Sequence, residues 1–219
     1  ILVVMMHSAY GVGEETGGAG YLHYIIGWAT PFRMPEFFLI SGLFLSMVIA
    51  RDWLRYTDRR VVHYLYFYVL WAVIQIGFKV GLGTGDPVSA LRDIALAIVE
   101  PYGVLWFIYM LAAFSLAAKV LFELRAPHWG VLAIGALMQI VPVHTGSTLV
   151  DYFCEYFVYF YGGYALAPQI FKVVDWAQRN VALAVPALIA YALVNGLLVF
   201  TGGFEMKPVH AEMGFAALP

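Results

Sequence analysis

The sequence is poor in charge and nearly devoid of cysteine. Only 12% of its 219 residues are Asp, Glu, Lys or Arg, against about 25% in a soluble domain. The lone Cys154 excludes an intrachain disulfide and a cysteine-rich metal site, and is read as a small apolar residue inside a helix. A net charge of -2 gives no ground for a nucleic-acid partner. No H-E-x-x-H, P-loop, G-x-S-x-G or metal-spaced cluster occurs, and the histidines are too scattered to suggest a metal. What is abundant is apolar: 63% of the chain. A soluble domain of this size must still present a polar exterior, so that surplus has to face a bilayer, whose hydrocarbon calls for spanning helices of about 20 residues.

Hydropathy and punctuation divide the chain into spans. A partial first span covers Ile1 to Tyr10, followed by the Gly-rich GVGEETGGAG. Further spans are expected over Tyr21 to Ala50, Val61 to Leu82, Gly103 to Phe122, Trp129 to Val143, Leu149 to Ile170 and Val181 to Thr201. Between the third and fourth, DPVSALRDIALAIVEP is too short and charged to span. Its Val88, Leu91, Ile94, Ala95 and Ile98 recur at helical spacing, which predicts a helix lying in the interface. No repeat or linker interrupts the chain, so residues 1–219 read as a single, incomplete domain. The expected fold is all-α, a polytopic transmembrane bundle truncated at both ends, since ILVVMMHSAYG opens in mid-span and HAEMGFAALP begins another apolar run.

Basic residues set the orientation. Arg51, Arg55, Arg59, Arg60, Lys119, Arg125, Lys172 and Arg179 fall on one side, and only Lys79, Arg92 and Lys207 on the other. Eight against three places the Arg51–Arg60 loop in the cytoplasm.

The remaining basic residue, Arg33, lies within the second span, where an arginine costs about 2.5–3.5 kcal/mol at the helix centre. The 17 steps from Arg33 to Ala50 measure about 25 Å, which puts Arg33 in the outer half of a hydrocarbon layer about 30 Å thick. Glu36, three residues on, shares its helix face and can neutralise it. Pro31 and Pro35 flank the pair and withdraw backbone donors, which is tolerable at this depth where the freed carbonyls line a polar cavity. An arginine snorkelling to the outer headgroups also fits. His7, on the first span, also lies in the outer half and can face Arg33 and Glu36 across a helical hairpin. Its chemistry suits proton transfer near neutral pH, or a plain structural hydrogen bond. At the cytoplasmic start of the third span, Arg59, Arg60 and His63 can grip phosphates of an anionic cofactor or of lipid. Tyr64, Tyr66, Tyr68 and Trp71 read as an interfacial aromatic belt. Asp151 and Glu155, four apart at the start of the sixth span, suit either a bound acceptor or cation or a solvated helix start. His23 and His144 read as loop or interface residues and His128 as part of a cytoplasmic loop.

Several of these segments, in this order, resemble the bacterial membrane acyltransferases of acyltransferase family 3. LVVMMHS resembles the end of that family's first helix, with His7 at its characteristic histidine. PFRMPEFFLISGLFL resembles its second-helix signature, DRRVVHYLYFYVLW the basic start of its third helix and GVLWFIYMLAAF its fourth, with FYGGYALA a weaker echo in the sixth. His63 stands where the family has an arginine, and Glu36 where it has an apolar residue. The resemblance implies about ten spans in a whole member, of which this chain covers seven or so. It implies an integral plasma-membrane (bacterial inner-membrane) O-acyltransferase that moves an acyl group, acetyl above all, from cytoplasmic acyl-CoA to a hydroxyl of a glycan or other cell-envelope acceptor. His7 would then be the general base, with Arg33 stabilising negative charge beside it and the role of Glu36 open. Arg59, Arg60 and His63 would hold the phosphates of the acyl-CoA, and Trp106 and Tyr109 would line the pocket. The donor would be used without a metal, and an extracytoplasmic partner domain has room to join. A transporter or flippase-like carrier, binding a polar substrate at Arg33 and Glu36, is the rival reading; a scaffold subunit explains the composition but not the clustered polar residues.

Overall fold

The computed structural model describes residues 2–18, 20–78, 87–141 and 145–201. The expected start of the first span at Ile1, the end of the third beyond residue 78, Lys79, His144, Lys207 and the final apolar run lie outside the described residues. Among those described, every regular element is helical: α1 (Leu2–Thr16), α2 (Tyr21–Leu45), α3 (Trp53–Thr57), a π-helical turn (Asp58–Val62), α4 (His63–Ile76), α5 (Pro87–Leu96), α6 (Trp106–Glu123, preceded by a 3-10 turn over Gly103–Leu105), α7 (His128–Ile140), α8 (Thr148–Ala165), α9 (Ala167–Arg179) and α10 (Val181–Thr201). Gly103–Glu123 and Val181–Thr201 are long and apolar enough to cross a membrane. No side chain of α10 is buried, although the helix is apolar on all sides. Such a surface is stable against lipid or further helices and not against water. The fold is an all-α membrane bundle.

Two boundaries differ from the sequence reading. α1 continues to Thr16, carrying Gly11 and Gly13 inside the helix, so His7 lies farther from the end of its helix than a Tyr10 exit implies. The expected sixth span is two helices. α8 ends at Ala165, Leu166 leaves the helical conformation, and Pro168, which has no N–H to give, starts the separate helix α9.

The chain forms two compact units, Ile1–Phe37 with Pro168–Pro219, and Phe38–Ala167. In the first, α1 and the start of α2 form a hairpin around Ala9, Tyr10 and Ile26, with Met6 and Leu22 packed on them. α10 is tied to α2 by a reciprocal pair of hydrogen bonds. The Trp28 indole Nε1 donates to the Ala192 carbonyl (3.0 Å), and Asn195 Nδ2 donates to the Trp28 carbonyl (2.8 Å). Polar side chains used this way act as glue between apolar helices.

The second unit is built around α6. Its Phe114 is fully buried, with the rings of Phe38 (5.1 Å), Phe153 (5.4 Å), Phe157 (5.7 Å) and Phe160 (5.5 Å) around it. The rest of α2 reaches α8 through two glycines. A Cβ on Gly42 would overlap the Phe160 carbonyl, and a Cβ on Gly163 would overlap the Leu39 carbonyl, so the two backbones touch where neither helix has a side chain. At the other end of α2, Lys119 is only 1% exposed. Its Nζ donates to the carbonyls of Ile49 and Arg51 (2.9 Å each) and to Glu123 Oε1 (2.6 Å), with the rings of Trp53, Tyr56 and Phe122 5.2–5.6 Å away. All three donors of the ammonium are satisfied, and burial is thereby made tolerable. Beside it, the buried Tyr56 hydroxyl donates to the Ser115 carbonyl (2.7 Å), and burial pushes its phenol up, so it remains a donor. α5 forms a helix where the apolar spacing predicts one. Ala90 and Ala97 pack with Ile76, whereas Val88, Leu91 and Ile98 are exposed. Tyr68 departs from the expected aromatic belt: it is buried, donates to the Ala97 carbonyl and accepts from the Tyr102 N–H (3.0 Å), stapling α4 to the end of α5.

Two stability predictions follow from these ties. Gly42→Ala or Gly163→Ala forces two backbones apart and should cost about 3 kcal/mol or more, seen as loss of monodisperse protein on heating in detergent. Gly162→Ala, whose new methyl would meet Leu132 at an ordinary 3.8 Å, should stay close to wild type. Lys119→Met should cost about 2–3 kcal/mol by the same measurement, because it strands two buried carbonyls of the α2–α3 connection.

Candidate functional site

In the first unit the functional candidates line the α1–α2 hairpin. His7 is half-buried, one helical turn before the buried Tyr10. Counting equal lengths from the turn puts Arg33 level with about residue 4 of α1, so His7 and Arg33 differ in depth by only about 5 Å. The Arg33 charge acts on the Tyr10 hydroxyl, and the Nε and Nη1 atoms of Arg33 are shut away from solvent. Arg33 is therefore a half-buried cation within electrostatic reach of Tyr10 on α1. Pro31 and Pro35 lie inside α2, which continues through them to Leu45. Having no N–H, they withdraw the donors that the carbonyls of Gly27 and Pro31 would otherwise receive.

Glu36 corrects one expectation. It forms no ion pair with Arg33, and its side chain is exposed while the Nε and Nη1 atoms of Arg33 are buried. Sharing a helix face was not sufficient, because the two side chains end in different surroundings.

Two residues of the hairpin were missed as functional candidates. Tyr10 was read only as the end of a span, and His23 as a loop residue. His23 is buried, its ring lies 5.6 Å from that of Tyr10, and its Nδ1 accepts the Gly20 N–H (3.1 Å). That bond places the neutral ring's proton on Nε2, which is buried with no hydrogen-bond partner. A pocket of about 510 Å3 opens beside it, lined by Ser8, Ala9, Val12, Leu22 and His23 among others. The available signal was the spacing: His23 lies ten residues, nearly three helical turns, before Arg33 on the same helix.

In the second unit the basic start of α4 is wound as a π turn, DRRVV, which re-aims successive side chains and is frequent at functional sites. The three candidates there do different things. Arg60 is half-buried and committed, its Nη1 donating to the Tyr64 hydroxyl (3.0 Å) and its Nη2 to the Phe44 carbonyl (3.5 Å). Arg59 is exposed and pairs with no group among the described residues, and His63 is exposed with its ring edge-on to Phe67 (4.9 Å). Arg51 and Arg55 are exposed too, the latter loosely paired with Asp52 (3.8 Å). The guanidinium donors left open on the turn are therefore those of Arg59 rather than those of Arg60.

Trp106 and Tyr109 have different neighbours. Trp106 stacks into an aromatic cluster with Tyr152 (4.4 Å), Tyr156 (5.5 Å) and Phe38 (6.0 Å), whereas Tyr109 turns to Tyr68 (5.0 Å) and donates to the Ile98 carbonyl (3.1 Å). Asp151 is engaged locally, its Oδ1 accepting from the Thr145 N–H and hydroxyl (2.8 Å each). Glu155 keeps one buried carboxyl oxygen, Oε1, without a hydrogen-bond partner. Cys154 is a buried free thiol, and His128 Nδ1 meets the Tyr161 hydroxyl at 3.0 Å. Among the described residues no group of three or more His, Cys, Asp or Glu is placed to hold a metal ion.

The structure is that of a helical membrane protein with a histidine and a half-buried arginine on one hairpin. The family model for the acyltransferase domain of acyltransferase family 3 matches residues 1–217. The chain belongs to that family of membrane acyltransferases, and acyl transfer is its chemistry. No curated protein and no solved structure matches the chain.

The division of labour on the π turn is testable. Arg60→Gln should lower stability by about 1 kcal/mol through loss of its two ties. Arg59→Gln, which breaks no tie among the described residues, should leave the unfolding midpoint in place, and thermal unfolding in detergent checks both variants.

Proposed function

We propose that the protein is a plasma-membrane O-acyltransferase that moves an acyl group, acetyl in the first instance, from acyl-CoA on the cytoplasmic side to a hydroxyl of a glycan or other envelope acceptor at the outer face. The observation that carries this reading is Arg33, a cation on the hairpin that also bears His7, with its Nε and Nη1 atoms shut away from solvent. A charge costly to keep in a membrane is retained where chemistry uses it. His7 takes the proton of the acceptor hydroxyl as the oxygen attacks the thioester carbonyl. Arg33 stabilises the negative charge that develops on that carbonyl oxygen. Collapse of the tetrahedral species expels CoA as a thiolate, which takes up the proton, leaving ester and free thiol. Arg59 and His63 hold donor phosphates, with Arg60 bracing the turn that presents them. The topology follows the positive-inside pattern, with Arg51–Arg60 cytoplasmic.

A carrier reading keeps one observation on its side. Glu36 is an exposed, unpaired carboxylate on a spanning helix, the kind of group that binds a polar substrate in passage.

Transfer of label from radiolabelled acetyl-CoA to an envelope product, in membranes bearing the protein, tests the proposal. His7→Ala should lower the rate by about 100-fold or more, and Arg33→Lys by about tenfold or more, with both proteins still monodisperse in detergent. Wild-type rates in His7→Ala would remove histidine from the mechanism. Absence of transfer from any acyl-CoA, together with substrate flux lost in Glu36→Gln, would establish the carrier instead.

A further inference from the structure

The exposed helix α9 has no place in the acyl-transfer site, and its pattern is unlike that of its neighbours. It is 13 residues long, about 20 Å, too short for a hydrocarbon layer of about 30 Å. It is also too polar to span. Lys172, Asp175 and Arg179 recur at i, i+3 and i+7 along one face, while Ile170, Val173, Val174 and Ala177 recur at i, i+3, i+4 and i+7 along the other, with Phe171 beside them. The apolar face is open: Phe171 is 45% exposed, Val173 62% and Val174 44%, with Trp176 on the flank at 51%.

What covers that face is indicated by the connection to α10. A single residue, Asn180, separates the two helices, and it is the corner of both. Its N–H and side-chain amide both donate to the Trp176 carbonyl (2.9 and 2.8 Å), closing α9, and its own carbonyl accepts from the Leu183 and Ala184 N–H groups (2.9 Å each), opening α10. α10 has the length and composition of a membrane span and buries no side chain. The end of α9 is therefore fixed at the level where a lipid-embedded helix leaves the hydrocarbon. A 13-residue amphipathic helix held at that level meets the bilayer surface with its apolar face down.

We propose that α9 is a membrane-surface helix. Ile170, Phe171, Val173, Val174 and Ala177 are sunk to the acyl boundary of the phospholipid leaflet, Trp176 sits at headgroup depth, and Lys172 and Arg179 pair with lipid phosphates. The leaflet is the cytoplasmic one on the orientation proposed above, but the attachment does not depend on the acyl-transfer reading. Its consequence is mechanical: the start of α10 is held at a fixed depth, and α10 carries the Asn195 and Ala192 groups that clamp Trp28 of α2, five residues before Arg33.

The test is spin-label accessibility in the full chain, reconstituted in phosphatidylcholine–phosphatidylglycerol vesicles. Single cysteines replace Phe171, Lys172, Val174 or Asp175 in a Cys154→Ala background. Labels at 171 and 174 should collide with oxygen in preference to a water-soluble nickel chelate several-fold more than labels at 172 and 175. Accessibility to nickel at all four positions would overturn the proposal in favour of a solvated helix. Labels at 171 and 174 shielded from both agents would overturn it in favour of a protein cover. Phe171→Ser and Val174→Ser variants, labelled at 172, separate loss of attachment from loss of folding: a monodisperse protein whose label keeps its wild-type accessibility would also count against membrane seating.

Discussion

The contact on which the second unit depends is the crossing of two bare backbones at Gly42 and Gly163. Lipid tails are as apolar as leucine, so no hydrophobic force drives helices together inside a bilayer, and close dispersion contact must serve instead. Removing a side chain from each helix at one point lets carbonyls and Cα atoms meet, and the surrounding aromatics then pack: Phe38 of α2 against Phe114 of α6, and Phe160 of α8 against the same ring. Lys119 fastens the connection that follows the same helix through the Ile49 and Arg51 carbonyls. One crossing and one buried ammonium together set the position of the chain from Phe38 to Arg51 relative to α6 and α8.

The polar residues of this apolar chain fall into two groups. One group is satisfied internally. Lys119, Tyr56, Tyr68, Trp28 and Asn195 each reach a backbone carbonyl, and each joins segments distant in sequence. They are structural because an unmet donor in a low-dielectric interior costs about 1–3 kcal/mol, whereas a met one locks two helices. The other group is left with open valences. Arg59 stands exposed on the π turn and His63 at the start of α4, Glu36 is exposed on α2, and His23 and Glu155 each keep one buried atom unpaired. The proposed function draws on this second group and on His7 and Arg33, which share one hairpin.

Within the basic cluster, identical side chains have separate tasks. Arg60 is spent on Tyr64 and Phe44, and its neighbour Arg59 is free, because the π turn rotates adjacent residues onto different faces. Trp106 and Tyr109, three apart on a regular helix, are separated by their partners rather than by their own geometry. Tyr152 and Tyr156 draw one ring, and Tyr68 with the Ile98 carbonyl draws the other.

Composition and periodicity were enough for the all-helical membrane bundle and for a helix at α5, because a bilayer requires long apolar helices and amphipathic patterns declare which segments cannot span. The family was legible in the order of short segments that resemble its signatures, and the short loop after the first span was enough to put His7 and Arg33 on one hairpin. Several things only the tertiary structure decided: that Lys119 is buried rather than a surface charge, that Tyr68 is a staple rather than a belt residue, that Glu36 is exposed and makes no ion pair with Arg33, and that the segment after Ala165 is a helix of its own. In each case the local pattern allows more than one outcome. A lysine can be solvated or can satisfy carbonyls from another helix, and an arginine can pair along its own helix or across a hairpin. The choice rests on which distant backbone comes within hydrogen-bond reach once the helices pack, and no local stretch of sequence carries that distance.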